Sequence, residues 1–173
     1  NVAPMISMGL TPNVEIDVTP TADGAFQTGT ASMNVSTNSA SGYSVYMKTG
    51  NGKNTLSGTG SNTSTIGPVA NNATQASFAK NSWGYNLSPS STSIGAGTQY
   101  KPVPTTTTSA VTTGAGMTGT YNLTFATKVG TDLPTDQYTN SVVVSAVANP
   151  TAITKLTQLN YMQEMTSAIC AGS

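Results

Sequence analysis

The sequence predicts a mainly β chain, folded as an antiparallel β-sandwich and followed by a C-terminal α-helix. Three observations favour this fold class. Short runs alternate apolar and polar residues with a period of two, which is typical of strands with one buried face. Turn-forming residues separate these runs. After Pro150 the apolar spacing changes to three or four residues, which is the period of a helix.

The composition supports β structure with a neutral, hydroxyl-rich surface. Only 7% of the 173 residues are charged, and the six basic and six acidic residues give a formal net charge of zero. Apolar residues make up 36% of the chain, which is enough for one core. Thr is abundant, and it favours strands because its branched Cβ fits a pleated surface. The length suits one domain, or one domain with appendages.

The residue types that are missing exclude several functions. The chain has no His and no Arg, so it lacks an imidazole base or metal ligand and a bidentate clamp for phosphate. Zero net charge argues against a nucleic-acid partner. No stretch approaches the roughly 20 apolar residues of a membrane span. We therefore expect no enzyme, no cofactor, no nucleic-acid partner and no direct membrane insertion.

Residues 1–13 are predicted to form an N-terminal strand. Its apolar residues share one parity: Val2, Pro4, Ile6, Met8 and Leu10. The simplest interpretation is the first strand of the domain's own sheet. The alternative is strand exchange, in which this donor segment completes the sheet of a neighbouring subunit through main-chain hydrogen bonds. Repeated head to tail, such a contact builds a filament because it does not close.

Residues 14–149 are predicted to form the β-sandwich domain. The clearest alternation is found at residues 14–18, 31–36, 43–47, 83–87, 121–129 and 138–148. Gly50-Asn51-Gly52 predicts a hairpin turn, because Asn and Gly tolerate positive φ. Residues 88–119 predict an irregular loop, or edge strands broken by proline. Three consecutive valines at 142–144 predict burial on both faces of the last strand.

The start of that last strand contains a second recognisable pattern. Asp136-Gln137-Tyr138 resembles a tyrosine corner, in which a Tyr hydroxyl bonds to backbone a few residues upstream. A corner of this kind would fix the chain where it enters the strand.

Residues 150–173 are predicted to form a C-terminal amphipathic helix. Thr151 would cap it, and Ala171-Gly172 would end it. An apolar stripe needs something to cover it, so the helix is a candidate second assembly contact. The residues predicted for this contact are Leu156, Leu159, Met162, Met165 and Ile169.

Several segments together resemble a family of bacterial surface proteins. They are TNSASGYSVYM, NSWGYNL with YKPVP, YNLTFATKVGTDLPTDQYTNSVVVSAVANP and NYMQEMTSAIC. These segments resemble secreted cell-surface proteins of Saccharibacteria and related candidate-phylum bacteria. The resemblance covers most of residues 14–170. It implies an exported, immunoglobulin-like β domain, often followed by further domains, and transfers no catalytic or binding residue.

Carboxylates offer a candidate calcium site. Glu15, Asp17 and Asp23 cluster in sequence, and Asp132 and Asp136 flank a turn. Calcium takes six to eight oxygen ligands, usually from a loop of defined spacing. No such loop occurs here, so a solvated surface is the favoured interpretation and no metal residue is predicted.

A covalent Lys–Asn isopeptide crosslink is a second candidate chemistry. Lys48 or Lys128 would react with Asn140 or Asn149, with Glu15 or Asp17 moving the proton. Such a crosslink needs a buried lysine. Both lysines fall on the polar parity of their strands, so exposed lysines are expected instead.

Aromatic residues are candidates for binding sugar faces. Trp83 and Tyr85 share parity with Leu87, so core packing is expected for them. Tyr46 has outward parity and Tyr100 lies in a loop, which makes these two the better surface candidates. The single Cys170 is expected to act as a small apolar residue.

These observations predict an extracellular structural protein of the cell surface, a pilus-like filament or surface-layer subunit that self-assembles by exchange of a terminal strand. Its expected partner is a second copy of itself, as a homo-oligomer or homopolymer. The alternative is an adhesin or glycan-binding module that recognises a host-cell or glycan surface through loops 50–65 and 88–119. No catalytic, cofactor-binding or metal-binding residue is predicted.

Overall fold

The computed structural model describes residues 3–113, 117–150 and 160–171, the last range by its backbone alone. Within these ranges the chain forms strands and no helix. The strands are β1 (Ile6–Leu10), β2 (Asn13–Val18), β3 (Ala25–Thr37), β4 (Tyr43–Thr49), β5 (Leu56–Gly58), β6 (Thr65–Pro68), β7 (Ser82–Pro89), β8 (Thr108–Thr112), β9 (Thr118–Val129), β10 (Asp136–Ala148) and β11 (Asn160–Ala171).

The strands form one hydrogen-bonded sheet with the order β1-β3-β9-β7-β6-β5-β10-β11-β2, and β4 and β8 branch from β10. Most neighbours are antiparallel, but β6 runs parallel to β7 and β11 runs parallel to β2. The two ends of this order, β1 and β2, are separated along the chain only by Thr11-Pro12. Pro12 has no N–H to donate, which favours a break in the ladder at this point. β1 and β2 therefore join opposite ends of the sheet.

The sheet encloses one main core. Its buried apolar side chains come from both ends of the strand order, including Met8 and Leu10 of β1, Val14 of β2, and Val142 and Val144 of β10. At its centre the rings of Trp83 and Phe125 stack with centroids 6.2 Å apart. The predicted mainly β class is confirmed. The predicted antiparallel sandwich is not, because the described strands belong to one continuous sheet that includes two parallel pairs.

The alternation of apolar and polar residues correctly predicted which residues are buried in strands such as β2. β2 buries Val14, Ile16 and Val18 and exposes the residues between them. In β10, however, Val142 and Val144 are buried while Val143 is only partly buried. The prediction of burial on both faces is therefore wrong, because only one face of β10 is turned to the core.

The predicted C-terminal helix is wrong for residues 160–171, which form strand β11. Met162, Met165 and Ile169 lie in this strand, whereas Leu156 and Leu159 lie outside the described residues. The facing edges of β10 and β2 carry backbone donors and acceptors that β11 pairs on both sides. Pairing with both edges outweighs a local helix period. A spacing of three also places Met162 and Met165 at positions of opposite parity in a strand.

The turn at Gly50-Asn51-Gly52 is present, but the hairpin predicted from it is wrong. Gly52 has a φ of 73°, as a turn of this kind requires. The strands before and after the turn, β4 and β5, do not pair with each other. They lie in line along one edge of β10, which is long enough to pair with both.

A second apolar cluster packs on the other face of the sheet. Phe125 of β9 points into the main core, and its neighbour Ala126 belongs to this second cluster. Here the rings of Phe26, Phe78 and Tyr100 meet edge to face, with centroids 5.3–5.9 Å apart. Tyr100 is only 1% exposed, so its predicted surface role is wrong. Reciprocal backbone bonds to Ala73 hold it there.

Three buried tyrosines have raised pKa values. Burial raises the pKa of Tyr43, and a hydrogen bond of 2.5 Å between its hydroxyl and that of Tyr121 raises it further. Burial alone raises the pKa of Tyr85 and of Tyr100. Each of these rings therefore favours its neutral form more strongly in the folded protein than in the unfolded chain.

This arrangement predicts loss of stability in alkali. A raised folded-state pKa contributes stability that is fully present below the unfolded value of about 10 and is lost as the pH rises above it. Urea unfolding should give a lower free energy of unfolding at pH 11 than at pH 8. The difference should shrink in Tyr43→Phe and persist in the control Tyr46→Phe, whose ring is only partly buried. An equal difference in both variants would contradict this assignment to Tyr43.

Candidate assembly site

The candidate assembly site is the space between the facing edges of β10 and β2, which we call the β10–β2 slot. β11 fills this slot. It pairs antiparallel with β10 from Asp136 to Val147, and parallel with β2 from Asn13 to Val18. Among the described residues, β2 has no ladder partner besides β11. The strand order of this part of the sheet is therefore complete only when a strand lies in the slot.

The slot has an apolar floor. β2 supplies Val14, Ile16 and Val18, each at most 4% exposed. From β10 the corresponding buried residues are Val142, Val144 and Ala146. Because these side chains belong to the main core, an empty slot would expose backbone edges directly above the core. Burial of that surface is a driving force for a strand to enter.

A tyrosine corner fixes one end of the slot, which confirms the prediction made from Asp136-Gln137-Tyr138. The Tyr138 hydroxyl donates to the carbonyl oxygen of Pro134 at 2.5 Å and accepts from Nδ2 of Asn62 at 3.0 Å. Asn62 also donates to Asp136, and the Thr59 hydroxyl donates to the other carboxylate oxygen at 2.8 Å. The bond from Thr59 is the main reason that the pKa of Asp136 is lowered.

Asn149 fixes the other end of the slot. Its Nδ2 donates to the carbonyl oxygens of Ser41 at 3.0 Å and Thr113 at 2.8 Å. Its Oδ1 accepts from the Ser44 hydroxyl, and its backbone oxygen accepts from the Ser39 hydroxyl, both at 2.7 Å. The end of β10 is thus anchored where the chain leaves for β11. The change of pattern at Pro150 was visible in the sequence, but the hydrogen bonds of Asn149 were not.

The predicted N-terminal donor strand lies in the chain's own sheet, as β1. Its even positions are buried as expected, with Met8 4% and Leu10 8% exposed, whereas Ile6 and Pro4 are partly buried. Val2 lies outside the described residues. β1 pairs with β3 from Ile6 to Leu10.

Asparagine side chains of β3 and of the turn after it add to this pairing. Oδ1 of Asn38 accepts from the backbone N–H of Met5 at 2.7 Å, and its Nδ2 donates to the carbonyl oxygen of Ala3. Asn34 accepts from the N–H of Gly9 at 2.8 Å. These bonds extend the attachment of the N-terminal segment beyond β1.

A close approach holds β2 over β3. A Cβ built on Gly29 of β3 would lie 2.8 Å from Cγ1 of Val14 and 2.9 Å from Cγ1 of Ile16. Only a residue without a side chain allows β2 to lie this close. β2 is therefore positioned by packing on β3 as well as by its ladder with β11.

The acidic residues of the candidate calcium site are spread over separate surface contacts. Glu15 and Asp17 are exposed on β2, Asp132 accepts from Asn81 Nδ2 and forms an ion pair with Lys80, and Asp136 belongs to the corner. Among the described residues, no three His, Cys, Asp or Glu side chains lie close enough to hold a metal ion.

The residues considered for an isopeptide crosslink are not brought together. Lys48 and Lys128 are partly exposed. Asn140 donates to the carbonyl oxygens of Lys53 and Thr55, at 2.8 and 3.0 Å, and Asn149 is occupied at the end of β10. Both asparagines bind backbone and do not face a lysine amine in these bonds.

The core aromatics behave as predicted. Trp83 and Tyr85 are buried in the main core, and the Trp83 Nε1 donates to the carbonyl oxygen of Asn54 at 2.9 Å. Tyr46 is partly exposed on β4. Across the described part of the chain, no helix has the length and apolar character needed to cross a bilayer.

The anchor at Asn149 makes a prediction. Asn149→Ala removes two donated bonds and one accepted bond, leaving partly buried backbone carbonyls without partners. The free energy of unfolding should fall by about 1–3 kcal/mol. Asn71→Ala, at an exposed turn position, is the matched control and should change stability little. Equal stability of the two variants in urea unfolding would refute the anchoring role.

Comparisons with known proteins find similarity to solved structures alone. No protein-family model and no curated protein matches the chain. Among solved structures, CfaE, the adhesive subunit of the CFA/I fimbria of enterotoxigenic Escherichia coli, matches at a TM-score of 0.51 and 13% identity. That match covers 93% of this chain but only 46% of CfaE, so the chain spans about half of that protein.

Two further solved structures match over nearly their whole length. The CooA pilin subunit of enterotoxigenic E. coli matches with a TM-score of 0.48 and 16% identity, and the match covers 96% of this chain and 99% of CooA. The Salmonella SafD adhesin matches with a TM-score of 0.40 and 15% identity, and the match covers 97% of this chain and 99% of SafD. The likeness to CfaE shows a shared all-β fold.

Proposed function

We propose that this protein is an extracellular, structural subunit of a cell-surface filament, assembled from copies of itself by strand exchange. The observation that carries the proposal is the β10–β2 slot, which lies over the core and is completed by an inserted strand. Strand insertion supplies main-chain hydrogen bonds along both edges and needs no charged or catalytic side chain. Such a contact suits a chain without His or Arg.

The character of the surface supports an extracellular role. The described surface carries few charges, and its one ion pair within that part of the chain joins Lys80 to Asp132 at 3.5 Å. Hydroxyl and amide side chains make most of the polar contacts, as at the corner and at Asn149. The resemblance to exported proteins of Saccharibacteria and related bacteria agrees with this location.

Exchange of the N-terminal segment, through Val2, Pro4, Ile6, Met8 and Leu10, stays a prediction. For that exchange β1 would have to leave β3 and the bonds made by Asn34 and Asn38. A disulfide that ties β1 to β3 tests this version directly, because Ser7 and Ser36 are exposed and opposite each other in the ladder.

The filament itself is tested by electron microscopy and sedimentation of the full chain over a range of concentrations. We expect ordered fibres whose fraction grows with concentration, because a head-to-tail contact is not closed. A protein that sediments as a monomer at every concentration, with no fibres in the images, would overturn the proposed function.

The β1 lock gives a second, separate prediction. Ser7→Cys with Ser36→Cys, in a Cys170→Ser background, places two cysteines opposite each other at a distance that a disulfide can span. If β1 is the exchanged strand, oxidation should abolish fibres and reduction should restore them. Fibres that persist after oxidation would eliminate the N-terminal version. The Cys170→Ser protein alone is the control.

A second candidate function is an adhesin. A groove of about 250 Å³ opens beside the second apolar cluster, between β3 and the predicted binding loop 88–119. Phe26, Gln27, Gln75 and Ile94 contribute to its walls, which combine an aromatic ring with amides as sugar sites commonly do. The shared fold with the adhesive subunit CfaE supports this alternative.

Glycan binding separates this candidate from the filament. Full-length protein applied to a panel of immobilised glycans should bind if the groove is a sugar site, and Gln75→Ala should weaken that binding several-fold. Gln99→Ala, at an exposed position of loop 88–119 that does not line the groove, is the control. Absence of binding by the full-length protein would leave the filament as the sole candidate.

A further inference from the structure

The two walls of the β10–β2 slot are held in place by contacts that do not involve β11. β10 pairs with β4 and β5 on its other edge and is fixed at its ends by Tyr138 and Asn149. β2 packs on Gly29 of β3 and follows β1 after Thr11-Pro12. The slot therefore retains its shape-determining contacts when β11 leaves it.

β11 itself is attached to β10 by a long connection. Antiparallel neighbours are commonly joined by hairpin loops of about 2–5 residues. Here residues 149–159 separate Ala148 from Asn160, although Val147 and Asn160 are opposite each other in the ladder. A segment of this length reaches about 40 Å when fully extended. The connection is longer than a hairpin needs and long enough to deliver β11 to another molecule.

We propose that β11, residues Asn160–Ala171, is the strand that passes between copies, so that β11 of one chain occupies the β10–β2 slot of a second copy. This inference rests on the proposed function and names its exchanged element. It differs from the N-terminal version because β1 stays on β3 in both states.

The energetics favour exchange at high local concentration. A second copy offers an identical β11, so the ladders with β10 and β2 are the same within one chain and between two. The remaining difference in free energy is the effective concentration that the covalent connection imposes on β11 within its own chain, and short linkers give values on the order of millimolar. At low protein concentration β11 therefore fills the slot of its own chain. Among crowded subunits at a cell surface, β11 passes to the slot of a neighbouring copy.

The register supplies a specific test. Gln137 of β10 lies opposite Cys170 of β11, so the Cα atoms of a cysteine at 137 and of Cys170 are about 4.5–5.5 Å apart, within disulfide range. A Gln137→Cys, Cys170→Ser chain has a cysteine in its slot and none in its β11. Wild-type protein has Cys170 in its β11 and no cysteine at position 137 of its slot. A disulfide between these two chains in register forms when wild-type β11 enters the slot of the variant.

The two proteins are mixed at rising concentration, oxidised mildly, and run on a non-reducing gel. We expect a covalent heterodimer whose yield rises with concentration, and peptide mapping should find the 137–170 bond. The matched control replaces Gln137→Cys by Ser141→Cys, a position opposite Thr166 and four residues away along β10. Heterodimer yields equal to those of the control at every concentration would overturn the proposal.

A second variant shows that the register is intact. Gln137→Cys alone, oxidised when dilute, should form the bond within one chain and remain monomeric. If this intrachain bond forms while the mixture gives no heterodimer, β11 does not exchange. If neither bond forms, the placement of β11 is wrong and the proposal falls with it.

The outcome for the filament is separate. Oxidised Gln137→Cys, prepared dilute and then concentrated, has its β11 locked in its own slot and should form no fibres. Fibres from this locked protein would reject β11 exchange while leaving the filament in place. Heterodimer capture without fibres from wild-type protein would support β11 exchange and reject the filament.

Discussion

The fold depends on pairing of the backbone edges of β10 and β2 with a strand between them. Backbone N–H and C=O groups over an apolar core are costly when they find no partner, and both edges lie beside buried valines. β11 satisfies both edges at once, antiparallel on one side and parallel on the other. Within the described chain β2 makes its ladder with β11 alone, so the backbone pairing of β2 depends on a strand in this position.

Polar side chains fix the ends of this arrangement and leave its middle to backbone pairing. Tyr138 with Asn62 holds one end of β10, and Asn149 with Ser39 and Ser44 holds the other. These neutral groups bind carbonyls and hydroxyls, so the ends of β10 are held without charged side chains from β10's partners. An account of function based on strand pairing also fits a chain that lacks imidazole and guanidinium groups.

Much of the fold was predictable because strands such as β2 and β10 bury one face and leave the other more exposed. The parity of Val14, Ile16 and Val18, the burial of Trp83 and the corner at Tyr138 follow from local pattern. The prediction of a C-terminal helix was wrong because the apolar residues there have a helical spacing. No local signal in that segment reports that the edges of β10 and β2 are available for pairing elsewhere in the chain. The prediction that Tyr100 lies at the surface was wrong for a similar reason, because its burial depends on Phe26 and Phe78, which are distant in sequence.

Amide hydrogen exchange tests the central claim, that residues 160–171 complete the sheet between β10 and β2. If they do, the amides of β11 and those of β2 that face it should be protected together and should lose protection in one cooperative step. β2 is the informative strand, because its ladder within the described chain is made with β11 alone. Rapid exchange throughout β2 and β11, beside a well-protected β10, would contradict the account.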